Sequence, residues 1–144
     1  MALSKDPPRQ YDPAVEPIFA DVPGKVSTTI YEGAAVTDDG GGGECDGLLA
    51  ASESFLGFVE KGVVTNATTS DINVRIRQKG IVKNLPVTGL DADTDLGVAV
   101  YASDNGTFTL TSSSAFVQIG KVQGYKGVTG YGDVYFEAAA IRSI

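Results

Sequence analysis

"GVAVYASDNGTFTLTSS", residues 97–113, alternates apolar and polar side chains, breaks at Asp104-Asn105-Gly106, and alternates again. Two registers are open to such a hairpin. A two-residue turn at Asn105-Gly106 sets Tyr101 opposite Leu110 and strands Val98 and Val100 on the face away from Phe108. A three-residue loop of Asp104, Asn105 and Gly106 pairs Ala102 with Phe108, Val100 with Leu110 and Val98 with Ser112. That register gathers Val98, Val100, Ala102, Phe108 and Leu110 on one face. A slip of one residue turns every side chain over, so the apolar pattern selects it. The loop suits a type I turn closed by a left-handed Gly106, and the stretch reads as a half-buried antiparallel hairpin.

The same period of two extends in both directions. "SDINVRIRQKG" (70–80) is a strand with Ile72, Val74 and Ile76 inward and Asn73, Arg75 and Arg77 outward, and "IVKNLPVTG" follows it. "VSTTIYEGAAVT" (26–37), "AFVQIGKVQG" (115–124) and "GDVYFEAAAI" (132–141) are also strand-like, and "ASESFLGFVEKGVV" (51–64) suits a strand or a short helix. A turn of helix fits "LDADTDLG" ahead of the hairpin. Short strands separated by glycine-bearing turns predict an all-β fold, a small antiparallel barrel or sandwich.

One composition shift divides the chain. Five of its six prolines (Pro7, Pro8, Pro13, Pro17 and Pro23) precede Gly24, and all 18 glycines lie from Gly24 onward. Proline removes amide donors and extends the residue before it. Residues 1–24 therefore read as an extended arm and 25–144 as the β domain. Tyr11, Val15, Ile18 and Phe19, interleaved with the prolines, give the arm apolar anchors for its own domain, a neighbouring subunit or another protein.

With 144 residues the chain can bury a core unaided, and its single cysteine, Cys45, gives no disulfide framework. A net charge of −7 lacks the basic footprint of a nucleic-acid binder. No apolar run of membrane-spanning length and no signal-peptide core is present, which leads us to expect synthesis in the cytoplasm. Histidine is absent, which removes the commonest general base and transition-metal ligand together.

The remaining polar clusters are weak candidates for chemistry. "DADTDLG" (91–97) begins like a calcium loop, but Leu96 and Ala102 stand where an EF-hand needs glycine and glutamate. A polar turn capped by Asp is the better reading. "DDGGGGECD" places Asp38, Asp39, Glu44 and Asp46 in one loop, read as a mobile surface loop and not a calcium site. Its glycines lack the Gly-Lys-Ser/Thr ending of a phosphate cradle. Cys45 has acidic neighbours that raise a thiol's pKa, so it is no activated nucleophile. "NAT" (66–68) fits a glycosylation acceptor only in a secreted chain. Tyr125, Tyr131 and Tyr135 suit either a sugar-stacking platform or a subunit contact. We expect no catalytic residues, no cofactor and no metal.

Six segments in order resemble the small cement, or head decoration, proteins of tailed bacteriophages. They are "TTIYEGAAVT", "SFLGFVEKGVV", "INVRIRQKGIVKNLPVTGL", "LGVAVYASDNGTFTLT", "VQIGKVQG" and "DVYFEAA", spanning about residues 26 to 138. The resemblance implies a small β-barrel-like domain that oligomerises on the outer capsid surface of the virion and clamps neighbouring major capsid subunits. It carries over no catalytic residue. The arm and "GGGGECDG" depart from the family's pattern. To the arm we assign the expected capsid or subunit contact: Pro7, Pro8, Tyr11, Pro13, Val15, Pro17, Ile18 and Phe19. Removing it should abolish attachment and leave a folded core. Capsid symmetry favours a homotrimer over a dimer. A glycan-binding β-sandwich and a phage tail component are the alternatives.

Overall fold

A computed structural model describes residues 6–7, 9–25, 28–38, 45–46, 54–64 and 72–139. Among them the chain is all β. The arm contributes β1 (Gln10–Tyr11) and β2 (Ile18–Pro23). Then come β3 (Thr29–Ile30), β4 (Ala35–Asp38), β5 (Cys45–Asp46), β6 (Phe55–Val59) and β7 (Val63–Val64). The long β8 (Asn73–Pro86) leads through a 3₁₀ turn at Asp93–Asp95 to β9 (Ala99–Ala102), β10 (Phe108–Thr109), β11 (Val117–Gly124) and β12 (Tyr131–Glu137).

The sheet runs β10-β9-β11-β12-β8-β6-β4-β5, all neighbours antiparallel, while β3 and β7 form a separate pair. β8 is its spine. Ile76 and Arg77 pair with Ala20 and Phe19 of β2 and also with Val59 and Phe58 of β6. Val82 pairs with Tyr11 of β1 and with Val134 of β12. A residue paired twice has its partners on opposite edges, so the arm occupies one edge of β8 while β6 and β12 share the other. The sheet also curls on itself. Beyond β8, Thr88 N donates to Phe108 O (2.9 Å) and Leu110 N to Thr88 O (3.1 Å), joining the end of the spine to β10. Curling removes an open edge that would invite aggregation.

Inside the curl lies the main core, with Phe55, Phe58, Phe108, Phe136, Leu85, Leu90 and Ile119 almost wholly buried. Phe58 is its hub, edge-on to Phe136 at 4.7 Å and to Phe55 at 6.0 Å. A second cluster of Ile30, Ala34, Val36, Cys45, Val59, Val74 and Ile76 fills the space between the β3–β6 segment and the first half of β8.

The hairpin takes the expected register, Ala102 opposite Phe108 and Tyr101 opposite Thr109, with Val100, Ala102 and Phe108 buried. It is shorter than expected. After Thr109 the chain turns to Thr88, so Leu110 packs at the edge of the core and Val98 is 37% exposed. Gly106 is not left-handed. Asp104 Oδ1 instead accepts from Gly106 N at 2.9 Å, an Asx turn that shapes the loop through a side chain. Asn105 is buried at the tip, its carbonyl accepting from Ala35 N at 3.0 Å.

Val74 and Ile76 point inward as read, but the strand continues through Gly80 to Pro86. Asn84, at φ 51°, breaks its alternation so that both Val82 and Leu85 face the core. Asparagine tolerates that conformation better than most residues. "VSTTIYEGAAVT" divides into β3 and β4 around a turn at Gly33 (φ 82°), the described residues of "ASESFLGFVEKGVV" (54–64) hold strands and no helix, and "LDADTDLG" holds the short turn of helix.

Candidate functional site: the arm and the loop end

The arm is built into the sheet. Asp12 N donates to Ile81 O and Gly24 N to Ile72 O, each at 2.9 Å, so it follows the spine for most of its length. Between β1 and β2 it bends at Asp12, whose Oδ1 accepts from Ala14 N at 2.9 Å and whose Oδ2 lies 3.8 Å from Lys83 Nζ. Tyr11 packs on the main core, 6.1 Å from the Phe136 ring, with the Arg77 guanidinium 4.1 Å above it. Phe19 lies beneath Arg75 (4.3 Å) and Arg77 (5.0 Å). Pro7, Val15 and Pro17 are half-buried, Pro13 is exposed and Ile18 is 41% exposed. Pro8 lies outside the described residues. Of the anchors read from sequence, Tyr11 and Phe19 are therefore engaged within the chain, and Pro13 and Ile18 are presented to solvent.

Arg9, which sequence reasoning passed over, closes one end of the curl. Its guanidinium stands 5.6 Å from the Phe108 ring and 5.9 Å from that of Phe58, and its Nε donates to Gly33 O at 3.0 Å. Each such cation–aromatic contact is worth on the order of 1 kcal/mol. Burial lowers the Arg9 pKa. Gly33 makes this approach possible, since a Cβ there would meet Arg9 Cγ at 2.8 Å and Pro7 O at 2.9 Å. The only signal was a lone arginine amid "PPRQYDP", where charge is otherwise expected in solvent.

Beside Arg9 an open cleft of about 240 Å³ is lined by Arg9, Tyr11, Glu32, Gly33, Val59 and Glu60. Glu60 is held by Arg77, Nε to Oε2 3.4 Å. The Tyr11 hydroxyl is buried without a hydrogen-bond partner, and burial pushes its pKa up to about 12 against the opposing pull of Arg77. The cleft thus brings two carboxylates, Glu32 and Glu60, together with one guanidinium, Arg9.

The connections that follow the spine and β11 are apolar. Four of the five large hydrophobic residues exposed among those described, Leu96, Val98, Val128 and Tyr131, lie on or just after two connections, residues 87–98 and 125–130. Backbone bonds tie these loops to the barrel and to each other: Gly97 N to Val122 O (2.9 Å), Val122 N to Val98 O (2.9 Å) and Gly130 N to Leu90 O (2.7 Å). Val128 and Tyr131 are 58% and 47% exposed. Scattered apolar residues need no explanation, whereas several on loops bonded to each other make a candidate contact surface.

The polar clusters resolve into structure. Asp95 Oδ2 accepts from Asp91 N (3.1 Å) and Ala92 N (3.3 Å), so "DADTDLG" is a turn capped by its own carboxylate. Cys45 is fully buried, and burial, then Asp46, pushes its thiol up to about 12. Asp46 pairs with Lys25 at 3.6 Å. The rest of the glycine loop and "NAT" lie outside the described residues. Tyr125 packs against the core, Tyr131 is exposed and Tyr135, in β12, is half-buried. A polar residue that sequence did not single out, Asp133, accepts from Asn84 N at 3.1 Å beside Lys83 (3.9 Å) and Lys126 (3.5 Å), holding the bulge in the spine. No family model matches this chain, and no curated protein is significantly similar to it.

Proposed function

We propose that the chain is a non-enzymatic structural protein that binds the outer surface of a tailed-phage head and cements neighbouring major capsid subunits. The observation that carries this reading is the order of six segments that resembles the head decoration proteins, "VYASDNGTFTLT" followed closely by "IGKV" foremost among them. The loop end supports it with a surface. Leu96, Val98, Val128 and Tyr131 offer apolar contact on connections anchored to a rigid barrel, with the exposed Pro13 and Ile18 of the arm as a second point of grip. Many copies on one lattice make attachment multivalent, so each contact can be modest while the coat holds.

Co-sedimentation with purified, undecorated heads, read by cryo-electron microscopy, tests the reading. Wild type should appear as stoichiometric density at symmetry-related sites, and the pair Val128→Asp and Tyr131→Asp should abolish it with the fold intact. Absence of wild-type density would overturn the capsid reading. Density that survives both substitutions would move the contact to the arm, where Ile18→Asp should then remove it.

A further inference from the structure

The hairpin tip carries a reactive pair. Among the chain's asparagines only Asn105 precedes a glycine; Asn66, Asn73 and Asn84 precede Ala67, Val74 and Leu85. Without a Cβ, the Gly106 amide can approach the side chain before it freely. In that approach Gly106 N bonds to Asn105 Cγ and gives up its proton to solvent. The Cγ–Nδ2 bond breaks as Nδ2 takes up a proton and departs as ammonia. Water then opens the cyclic imide at either carbonyl, leaving aspartate or isoaspartate at position 105.

The folded chain restrains each participant. Gly106 N donates to Asp104 Oδ1 at 2.9 Å, so the attacking nitrogen is engaged with a carboxylate. A neighbouring negative charge also disfavours the deprotonated amide that attacks. Asn105 is only 4% exposed, which keeps water and base from its side chain. Its carbonyl accepts from Ala35 N at 3.0 Å, and Ser103 N donates to Thr107 O at 3.0 Å beneath the tip. The bond to Ala35 spans the curl, joining the β9–β10 hairpin to β4 from the other end of the sheet.

We propose that Asn105-Gly106 is a latent modification site, kept from cyclising by Asp104 and by burial, and released when the tip parts from Ala35. Conversion there is one-way. Either product puts a carboxylate at a buried position, and isoaspartate also inserts a methylene into the backbone. The tip then no longer closes on Ala35. Each opening of the seam between hairpin and β4 is thereby open to a permanent covalent record. The rival role for Asp104, a base that draws off the Gly106 proton, predicts the opposite effect of removing it. The inference concerns the isolated chain and does not rest on the capsid reading.

Peptide mapping by mass spectrometry during incubation at neutral pH follows conversion of amide to acid at position 105, with circular dichroism to show each variant folded. Folded wild type should convert on the order of a hundredfold more slowly than the same chain in urea, because reaction needs local opening. Asp104→Ala should speed the folded protein about tenfold or more. Asp104→Ser, which keeps a weaker hydroxyl acceptor, should fall between the two, and it decides alone if Asp104→Ala does not fold. In urea all three should convert alike, and Gly106→Ala should convert more slowly. Converted protein should exchange the Ala35 amide faster than unconverted protein. Equal rates folded and in urea, variants at Asp104 as slow as wild type or slower, or unchanged exchange at Ala35 would each overturn the proposal.

Discussion

At Gly120 two strands leave no room for a side chain. Gly120 lies opposite both Phe136 and Val100, and a Cβ there would sit 1.8 Å from Tyr135 O. The obstacle is backbone, so no rotamer change relieves it. Gly120→Ala should cost about 3 kcal/mol, at the upper end for overpacking, and urea unfolding would show it as a lower midpoint. Leaving the midpoint unchanged would mean that β11 and β12 are further apart than described. Cys45 sets a different limit. Its thiol is fully buried and raised to about 12, and the Tyr11 phenol is raised likewise. Both shifts are upward, so the stability they contribute is complete below the unfolded thiol pKa of about 8.5 and is lost as pH rises toward the folded value. Unfolding free energy should hold level to about pH 8 and then fall, with Cys45 contributing about 3 kcal/mol of the loss by about pH 10.5. Cys45→Ala starts lower but should show a shallower fall, which equilibrium unfolding at several pH values would reveal. Equal slopes would place the thiol in water.

The arm acts as an element of the fold. Its two strands satisfy one edge of β8, Arg9 covers Phe58 and Phe108, and Tyr11 covers Phe136. Removing residues 1–24 should therefore leave an exposed central strand and aromatic core, with loss of cooperative unfolding and association through the bared edge. Gel filtration with thermal denaturation would check this, and a monomeric, cooperatively folded remainder would show that the domain stands alone. Much of this level was legible in sequence. The hairpin register followed from Val100, Ala102 and Phe108, and the inward face of the spine from Val74 and Ile76. The unread parts share a physical cause. Period two assumes that backbone alternation persists, and Asn84 interrupts it with one left-handed residue held by a carboxylate 49 positions away. Gly33 likewise splits one apparent strand in two. The arm's extended character could be read from its prolines, but its pairing partner could not, because an extended segment carries no address for the edge it will join.

For the whole molecule, two features of the described residues stand out, the exposed apolar side chains on the loops beyond the spine and the aromatic core that Arg9 covers. Composition made the absence of histidine plain, yet it could not group Leu96, Val98, Val128 and Tyr131, which lie up to 35 positions apart. The loops that carry them meet only because β8, β9, β11 and β12 turn at a common end. That arrangement also governs how the protein comes into being. The spine is flanked by the earliest-made strands on one side and by β12, the most C-terminal one described, on the other. During synthesis the arm emerges first and has nothing to pair with until residues 73–86 follow it. The spine then waits in turn, one edge bare, for β12. Barrels assembled from such distant partners fold slowly, in milliseconds to seconds, and expose strand edges meanwhile. The long middle strand that organises the finished sheet is thus also the segment most exposed to mispairing while the chain is being made.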